Sequence, residues 1–145
     1  MSGPRSLETN VLFLCGELTH VLHRALTEAF KKNRIHVTVE QFSVLALLFY
    51  QDGINQQEIS VRLNRNKTTV TRVISNMERN KMIVRVTDKN DSRGNLIFLT
   101  AKGRAIQKRA IEHSGALYLK AVGGIKGSTL EQNARLLKRI IENLK

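Results

Sequence analysis

Residues 66–82 read NKTTVTRVISNMERNKM, and this stretch decides the fold. Val70, Val73, Ile74 and Met77 recur at helical spacing and form one apolar face. Thr68, Arg72, Ser75 and Arg79 fall on the opposite side at i, i+4, i+7 and i+11. That outer side is short-chained, hydrogen-bonding and cationic, and none of these four residues is a carboxylate. Such a surface suits base edges and phosphates alike. Two strand-like runs follow, IVRVT (83–87) and NLIFLT (95–100), around a polar tip, DKNDSRG (88–94). A helix followed by a hairpin with a charged tip is the outline of a winged helix-turn-helix.

Upstream of this unit, Thr38-Val-Glu-Gln41 fits a capping box. It opens a helix over about 39–50 that is nearly all apolar from Phe42 to Tyr50, so burial of that run is expected. Asp52-Gly53 ends it, and Asn55-Gln-Gln-Glu58 opens a short helix over about 56–63, with Ile59 and Leu63 inward. Asn64-Arg-Asn66 is the turn, and Asn66 is a good N-cap for the next helix. Two short helices joined by a brief turn make a helix-turn-helix, whose second helix enters the major groove by its N-terminal half.

Residues 7–33 read as one long helix with a heptad-like seam of Leu7, Val11, Leu14, Leu18, Val21 and Ala25. Leu12, Phe13, Leu22 and Leu26 add apolar surface on other sides, so this helix needs more than one partner. Thr100 is placed to cap a helix over about 101–122, and Gly123-Gly124 and Gly127 break it. Ser128-Thr-Leu-Glu131 fits a further capping box. The last helix spaces Leu130, Ala134, Leu137, Ile141 and Leu144 by four and three. Seam-like patterns at both chain ends fit a dimer interface. The expected class is mainly α (α+β): a winged helix-turn-helix lobe at about 37–100, with dimerisation helices at about 7–33 and 101–145. All of it is expected to form a single domain over 1–145.

Charge is concentrated where the reading helix and hairpin lie. The chain of 145 residues carries a formal net charge of +12. Residues 60–109 hold thirteen Lys and Arg against three carboxylates, Glu78, Asp88 and Asp91. Such a field favours a polyanion, through phosphate contacts and release of condensed counterions. The single cysteine, Cys15, excludes an intrachain disulfide and a cysteine-based zinc finger. The first residues lack the apolar stretch of a signal peptide. The longest apolar run, VLALLFY (44–50), is too short to cross a bilayer. A reducing cytoplasmic setting with no membrane partner is expected. No Gly-rich phosphate loop, GxSxG elbow or paired catalytic motif is present, so no enzymatic activity and no cofactor are expected.

In collinear order, VTVEQFSVLALL (37–48), QQEISVRLNRNKTTVTRVISNMERNKMI (56–83) and DSRGNLIFLTAKG (91–103) resemble the MarR family of bacterial transcription regulators. The combination of Asn66-Lys-Thr-Thr-Val-Thr-Arg72, Asp91-Ser-Arg93 and Leu99-Thr-x-x-Gly103 carries the likeness. The resemblance implies a homodimer built from the terminal helices, through Leu7, Val11, Leu14, Leu130, Leu137, Ile141 and Leu144. It implies contacts to double-stranded DNA, at a near-palindromic operator, from Asn66, Lys67, Thr68, Thr69, Thr71, Arg72, Ser75, Asn76, Arg79, Lys89 and Arg93. Arg93 would reach the minor groove from the wing, oriented by Asp91. A guanidinium suits a narrow, electronegative groove. Family members usually have Gly where this chain has Lys81, and Asn80 is expected to take the left-handed conformation instead.

The resemblance also implies response to a small aromatic or lipophilic effector. Phe13, Phe42 and Phe49 are candidates to line its pocket, although aromatics at helical spacing are also ordinary core. Cys15 sits broadly where the peroxide-sensing branch of the family carries a reactive cysteine. Leu14, Gly16 and Glu17 supply no cation to stabilise a thiolate, so a buried, inert thiol is expected. His20 and His23, with Glu17, and Glu112-His113 form no pattern that enforces a metal site, and no metal is expected. A ligand-responsive dimeric repressor is the leading reading, since blocking a promoter needs only occupancy. The alternatives are a nonspecific or architectural nucleic-acid-binding protein, or a redox- or metal-responsive regulator of the same fold.

Overall fold

An asparagine sets where the first helix begins. The structure, a computed structural model, describes residues 6–91 and 94–145. Leu7–Thr9 form a single 3-10 turn. Asn10 then accepts through Oδ1 from the backbone N–H groups of Leu12 (3.0 Å) and Phe13 (3.2 Å). Helix α1 therefore runs Val11–Lys32, and the expected continuous helix from residue 7 is corrected. Heptad spacing passes through Asn10 without registering that its side chain satisfies the orphan N–H groups of a helix start.

Thr38 and Gln41 close the expected capping box on helix α2, Val39–Tyr50. Thr38 Oγ1 accepts from the Gln41 N–H at 3.1 Å, and Gln41 Oε1 accepts from the Thr38 N–H at 3.0 Å. Burial of the whole apolar run is not observed. Val44, Leu45 and Leu48 are buried, whereas Phe49 and Tyr50 are 58% and 83% exposed. One face of a helix meets the core, and the last two residues of α2 turn away from it.

Strand β1 is Ile54–Asn55, and Asn55 also caps α3, Gln56–Arg62, by accepting from the Gln57 N–H at 2.8 Å. Helix α4, Lys67–Arg79, starts at Asn66, whose Oδ1 accepts from the Thr69 N–H at 2.7 Å. Strands β2, Ile83–Thr87, and β3, Asn95–Leu99, pair antiparallel with Ile83 opposite Leu99 and Thr87 opposite Asn95. β1 adds to the free edge of β3, with Ile54 opposite Ile97, so the sheet order is β1-β3-β2. Thr100 caps α5, Ala101–Ala121, by accepting from the Gly103 N–H at 3.0 Å. Helix α6, Gly127–Asn143, begins at Lys126 with no side-chain cap, so the expected box at Ser128 does not form.

Helices α1, α3 and α4 each end on a residue other than glycine in the left-handed region: Arg34 (φ 53°), Asn64 (φ 49°) and Lys81 (φ 57°). After α4, the Met82 N–H donates to Met77 O (2.9 Å) and the Lys81 N–H to Glu78 O (2.8 Å). This pair of bonds puts the left-handed residue one place beyond the C-cap. Asn80 is that C-cap, with φ −81°, so Lys81 itself takes the conformation expected of Asn80.

The chain divides into two compact units, one ending at Ser114 and the other running Gly115–Lys145. The core of the first joins Val44, Leu45 and Leu48 to Ile59, Val70, Ile74 and Met77 and to Ile83, Ile97 and Leu99 of the sheet. Among the described residues, no helix is long and apolar enough to cross a membrane.

Candidate nucleic-acid interface

Helix α4 buries Val70, Val73, Ile74 and Met77, as its periodicity predicts. The N-cap Asn66 and Lys67, Thr68, Thr71, Arg72 and Arg79 are exposed, while Thr69, Ser75 and Asn76 are half-buried. Several polar groups on this helix are engaged by neighbouring elements. Thr71 Oγ1 accepts from Gln56 Nε2 of α3 at 3.0 Å. Ser75 Oγ accepts from Arg85 Nη2 of β2 at 2.8 Å. Asn76 Oδ1 accepts from Gln41 Nε2 of α2 (2.7 Å) and from Asn80 Nδ2 (2.9 Å).

The one carboxylate on α4, Glu78, faces Arg85 Nη1 at 3.3 Å. Arg85 thus offsets that negative charge and ties the hairpin to the helix. Arg85 is not among the residues that the sequence pattern singles out. Its signal is a cation that shares a strand face with the buried Ile83. Gln41 and Gln56 are likewise not singled out as groups that hold α4. Their partners lie on other elements and carry no local signature.

The hairpin tip is organised by Asp88, whose Oδ1 accepts from the Asn90 N–H at 2.9 Å and whose N–H donates to Gly94 O at 3.0 Å. Lys89 and Asp91 are exposed, and the Asp91 carbonyl accepts from the Gly94 N–H at 2.8 Å. Arg93, the candidate minor-groove residue, lies outside the described residues.

A cavity of about 240 Å³ lies against α4, with Val39, Val44 and Val73 among its apolar lining and Arg65 and Arg72 among its cations. His23 Nε2 stands 3.6 Å from Glu40 Oε1 at the same cavity. The Glu40 carboxyl is held below its usual range, first by a backbone N–H bond, then by the Thr38 hydroxyl and His23, against the opposing effect of burial.

The remaining candidates occupy separate places. Phe13 is exposed on α1, Phe42 meets Phe30 edge-on at 5.2 Å, and Phe49 meets Tyr50 at 5.4 Å. Cys15 is free and half-buried rather than buried. Leu7, Val11 and Leu14 are exposed in the first unit. In the second, Leu137, Ile141 and Leu144 are exposed and Leu130 is half-buried.

A capped reading helix seated on a core, followed by a hairpin wing, defines a winged helix-turn-helix protein. The MarR family profile matches residues 37–94, from the start of α2 to the wing tip. The HTH-type transcriptional regulator TtmR of Methylorubrum extorquens is 29% identical over 139 residues, covering 94% of this chain and 67% of that protein. The organic hydroperoxide resistance transcriptional regulator of Bacillus subtilis is 24% identical over 140 residues, covering 95% and 91%. The structure of the S. aureus MepR–DNA complex superposes with a TM-score of 0.84 at 26% identity, over 97% of this chain and 100% of that one. Over residues 37–94 the chain is therefore similar to MarR-family regulators, and its fold is that of the MepR structure.

Proposed function

We propose that this protein is a homodimeric, sequence-specific DNA-binding transcription regulator that represses by occupying a near-palindromic operator. The observation that carries the reading is the exposed row of Lys67, Thr68, Thr71 and Arg72 on a helix whose back is locked into the core. The DNA-bound state of MepR, at 26% identity, supports the same use of the fold. In this reading Arg72 and Arg79, with Lys67 and Lys89, supply phosphate contacts, and Thr68 and Thr71 read base edges. Arg93, oriented by Asp91, enters the minor groove. Asn66, Thr69, Ser75 and Asn76 stand at the edges of this surface. For Ser75 and Asn76, holding the helix in place is combined with contact.

Residues 1–145 act as one MarR-type regulator, with 37–100 on DNA and the terminal helices pairing two copies. Its role is binding rather than catalysis, in the cytoplasm beside the chromosome. Selection of bound genomic fragments by the purified protein, at fixed salt, tests the proposal. The expected result is one short inverted repeat, with half-sites about one helical turn apart and affinity at least about a thousandfold above random duplex. Equal affinity for all duplexes would instead assign an architectural role.

A further inference from the structure

Several polar side chains of α4 and its N-cap meet the rest of the protein through an oxygen atom. Asn66 Oδ1 accepts from the Thr69 N–H at 2.7 Å. Thr71 Oγ1 accepts from Gln56 Nε2 at 3.0 Å, and Ser75 Oγ accepts from Arg85 Nη2 at 2.8 Å. Asn76 Oδ1 accepts twice, from Gln41 Nε2 at 2.7 Å and from Asn80 Nδ2 at 2.9 Å. Among the described residues, the protons of these hydroxyls and amides meet no protein acceptor.

The direction of these bonds is set by groups that can only donate. A backbone N–H faces Asn66, and a guanidinium faces Ser75. At Asn76 the constraint is relayed through Gln41. The Thr38 N–H takes Gln41 Oε1 as its acceptor at 3.0 Å, which turns Gln41 Nε2 toward Asn76 and calls for Oδ1 there. Both lone pairs of Asn76 Oδ1 are then engaged, so this amide has only N–H groups left to offer. The Ser75 hydroxyl proton points away from Arg85, and the Gln56 amide gives Thr71 the same polarity.

Lys67, Arg72 and Arg79 have donors and no acceptor. The Glu78 carboxylate is engaged by Arg85 at 3.3 Å. Thr68 and Thr69 keep hydroxyls that can donate or accept. What α4 leaves for a ligand is thus mostly N–H and O–H. An asparagine ordinarily grips adenine with two bonds, accepting from N6 and donating to N7. Asn76 has spent the oxygen this needs. Guanine shows two adjacent acceptors in the major groove, N7 and O6, whereas adenine N6 and cytosine N4 would set donor against donor.

We propose that α4 reads DNA as a hydrogen-bond donor surface, and that its operator half-site presents guanine N7 and O6 to Ser75 and Asn76. Adenine N6 and cytosine N4 are not read there. This inference rests on the proposed regulator function and adds the chemistry of the base edges it takes. Gln41 and Arg85 are positioning residues: they set which atoms α4 shows without themselves touching a base.

The test is selection of randomised duplexes by the full chain at fixed salt, followed by affinity measurements on the preferred half-site. Guanines are expected within each half-site. Replacing them with 7-deazaguanine, which keeps the base pair and removes N7, should weaken binding about tenfold. Gln41→Glu still offers Oε1 to Thr38 but has no N–H for Asn76. Asn76 then turns its amide and shows Oδ1 outward. Preference at one base pair of each half-site should move about tenfold from guanine toward adenine or cytosine, a change that loss of packing alone would not produce. Asn76→Asp is the second variant. Its carboxylate still accepts from Gln41 and Asn80 but shows no N–H, so preference for guanine at that pair should vanish. The readout is the ratio between two duplexes at one salt, in which the added negative charge cancels. Indifference to 7-deazaguanine throughout, a half-site that depends on adenine or cytosine amino groups, or an unchanged preference in both variants overturns the proposal. A chain that selects no sequence refutes the regulator reading and this inference with it, whereas sharp selection through those amino groups refutes the donor surface alone.

Discussion

Arg85 on β2 donates from Nη2 to the Ser75 hydroxyl oxygen on α4 at 2.8 Å, across the junction of hairpin and reading helix. The same guanidinium faces Glu78 at 3.3 Å, and its Nε is buried with no hydrogen-bond partner among the described residues. Ser75 therefore anchors the wing as well as lying beside the exposed row of Thr68, Thr71 and Arg72. Removing its oxygen leaves a second poorly satisfied donor on Arg85, because a partly buried cation is costly to strand. Ser75→Ala is expected to lower unfolding free energy by about 1 kcal/mol in urea titration. Unchanged stability would mean that the bond holds nothing.

Lys81 carries a left-handed backbone at the exit of α4, with φ 57°. The conformation costs a residue with a Cβ about 1–2 kcal/mol, and glycine escapes it while losing somewhat more freedom on folding. Lys81→Gly should stabilise the chain by about 0.5–1 kcal/mol, read as a raised denaturant midpoint at constant slope. Asn80→Gly, at φ −81°, should not stabilise. If the two variants behaved alike, the assignment of the left-handed site would be wrong.

Gly103 has no room for a side chain. A Cβ there would stand 1.9 Å from the Met82 carbonyl oxygen, a backbone atom that cannot step aside. That carbonyl also accepts from the Thr100 N–H at 3.0 Å, so moving it disturbs the start of α5. Gly103→Ala should cost about 3 kcal/mol, near the upper end for overpacking, and lower the thermal midpoint by several degrees. A midpoint within error of the parent would show that α5 slides freely on β2.

What was legible in the sequence was local. Thr38 with Gln41, Asn66 with Thr69 and Thr100 with Gly103 are caps within three residues, and all three form. The buried stripe of α4 follows from its period alone. Distant partners were not legible. β1 is only two residues long and exists because Ile54 finds Ile97. Ser75 and Asn76 looked like free groove contacts until Arg85 and Gln41 were placed beside them. Phe49 and Tyr50 looked like core because periodicity gives the faces of a helix but not how many are covered.

Glu40 offers a pH handle. Its folded carboxyl lies below the usual range, through its backbone bond, Thr38 and His23. The stability it contributes is present above the unfolded carboxylate pKa and is lost as pH falls through the lower folded value. Glu40→Gln should therefore be less stable than the parent at neutral pH, and the gap should close in acid. A gap that persisted below the carboxylate range would have to come from packing instead.

Leu14 and Ile141 test the assembly. Each unit leaves large apolar side chains in solvent: Leu7, Val11, Leu14, Leu18 and Val21 in the first, Leu137, Ile141 and Leu144 in the second. Singly exposed apolar residues are ordinary, but rows at helical spacing on both terminal segments are the surfaces that the proposed homodimer would cover. A charge placed in such a row is stranded on dimerisation, at a cost that exceeds what one lost contact supplies. Leu14→Glu and Ile141→Glu should each shift sedimentation at micromolar concentration from two chains toward one. Operator affinity should fall with them, because a two-fold repeat engages two reading helices at once. The lone lobe should keep its weaker, salt-sensitive duplex binding, since Lys67 and Arg72 are untouched. Variants that stayed dimeric at all concentrations would move the interface away from these rows.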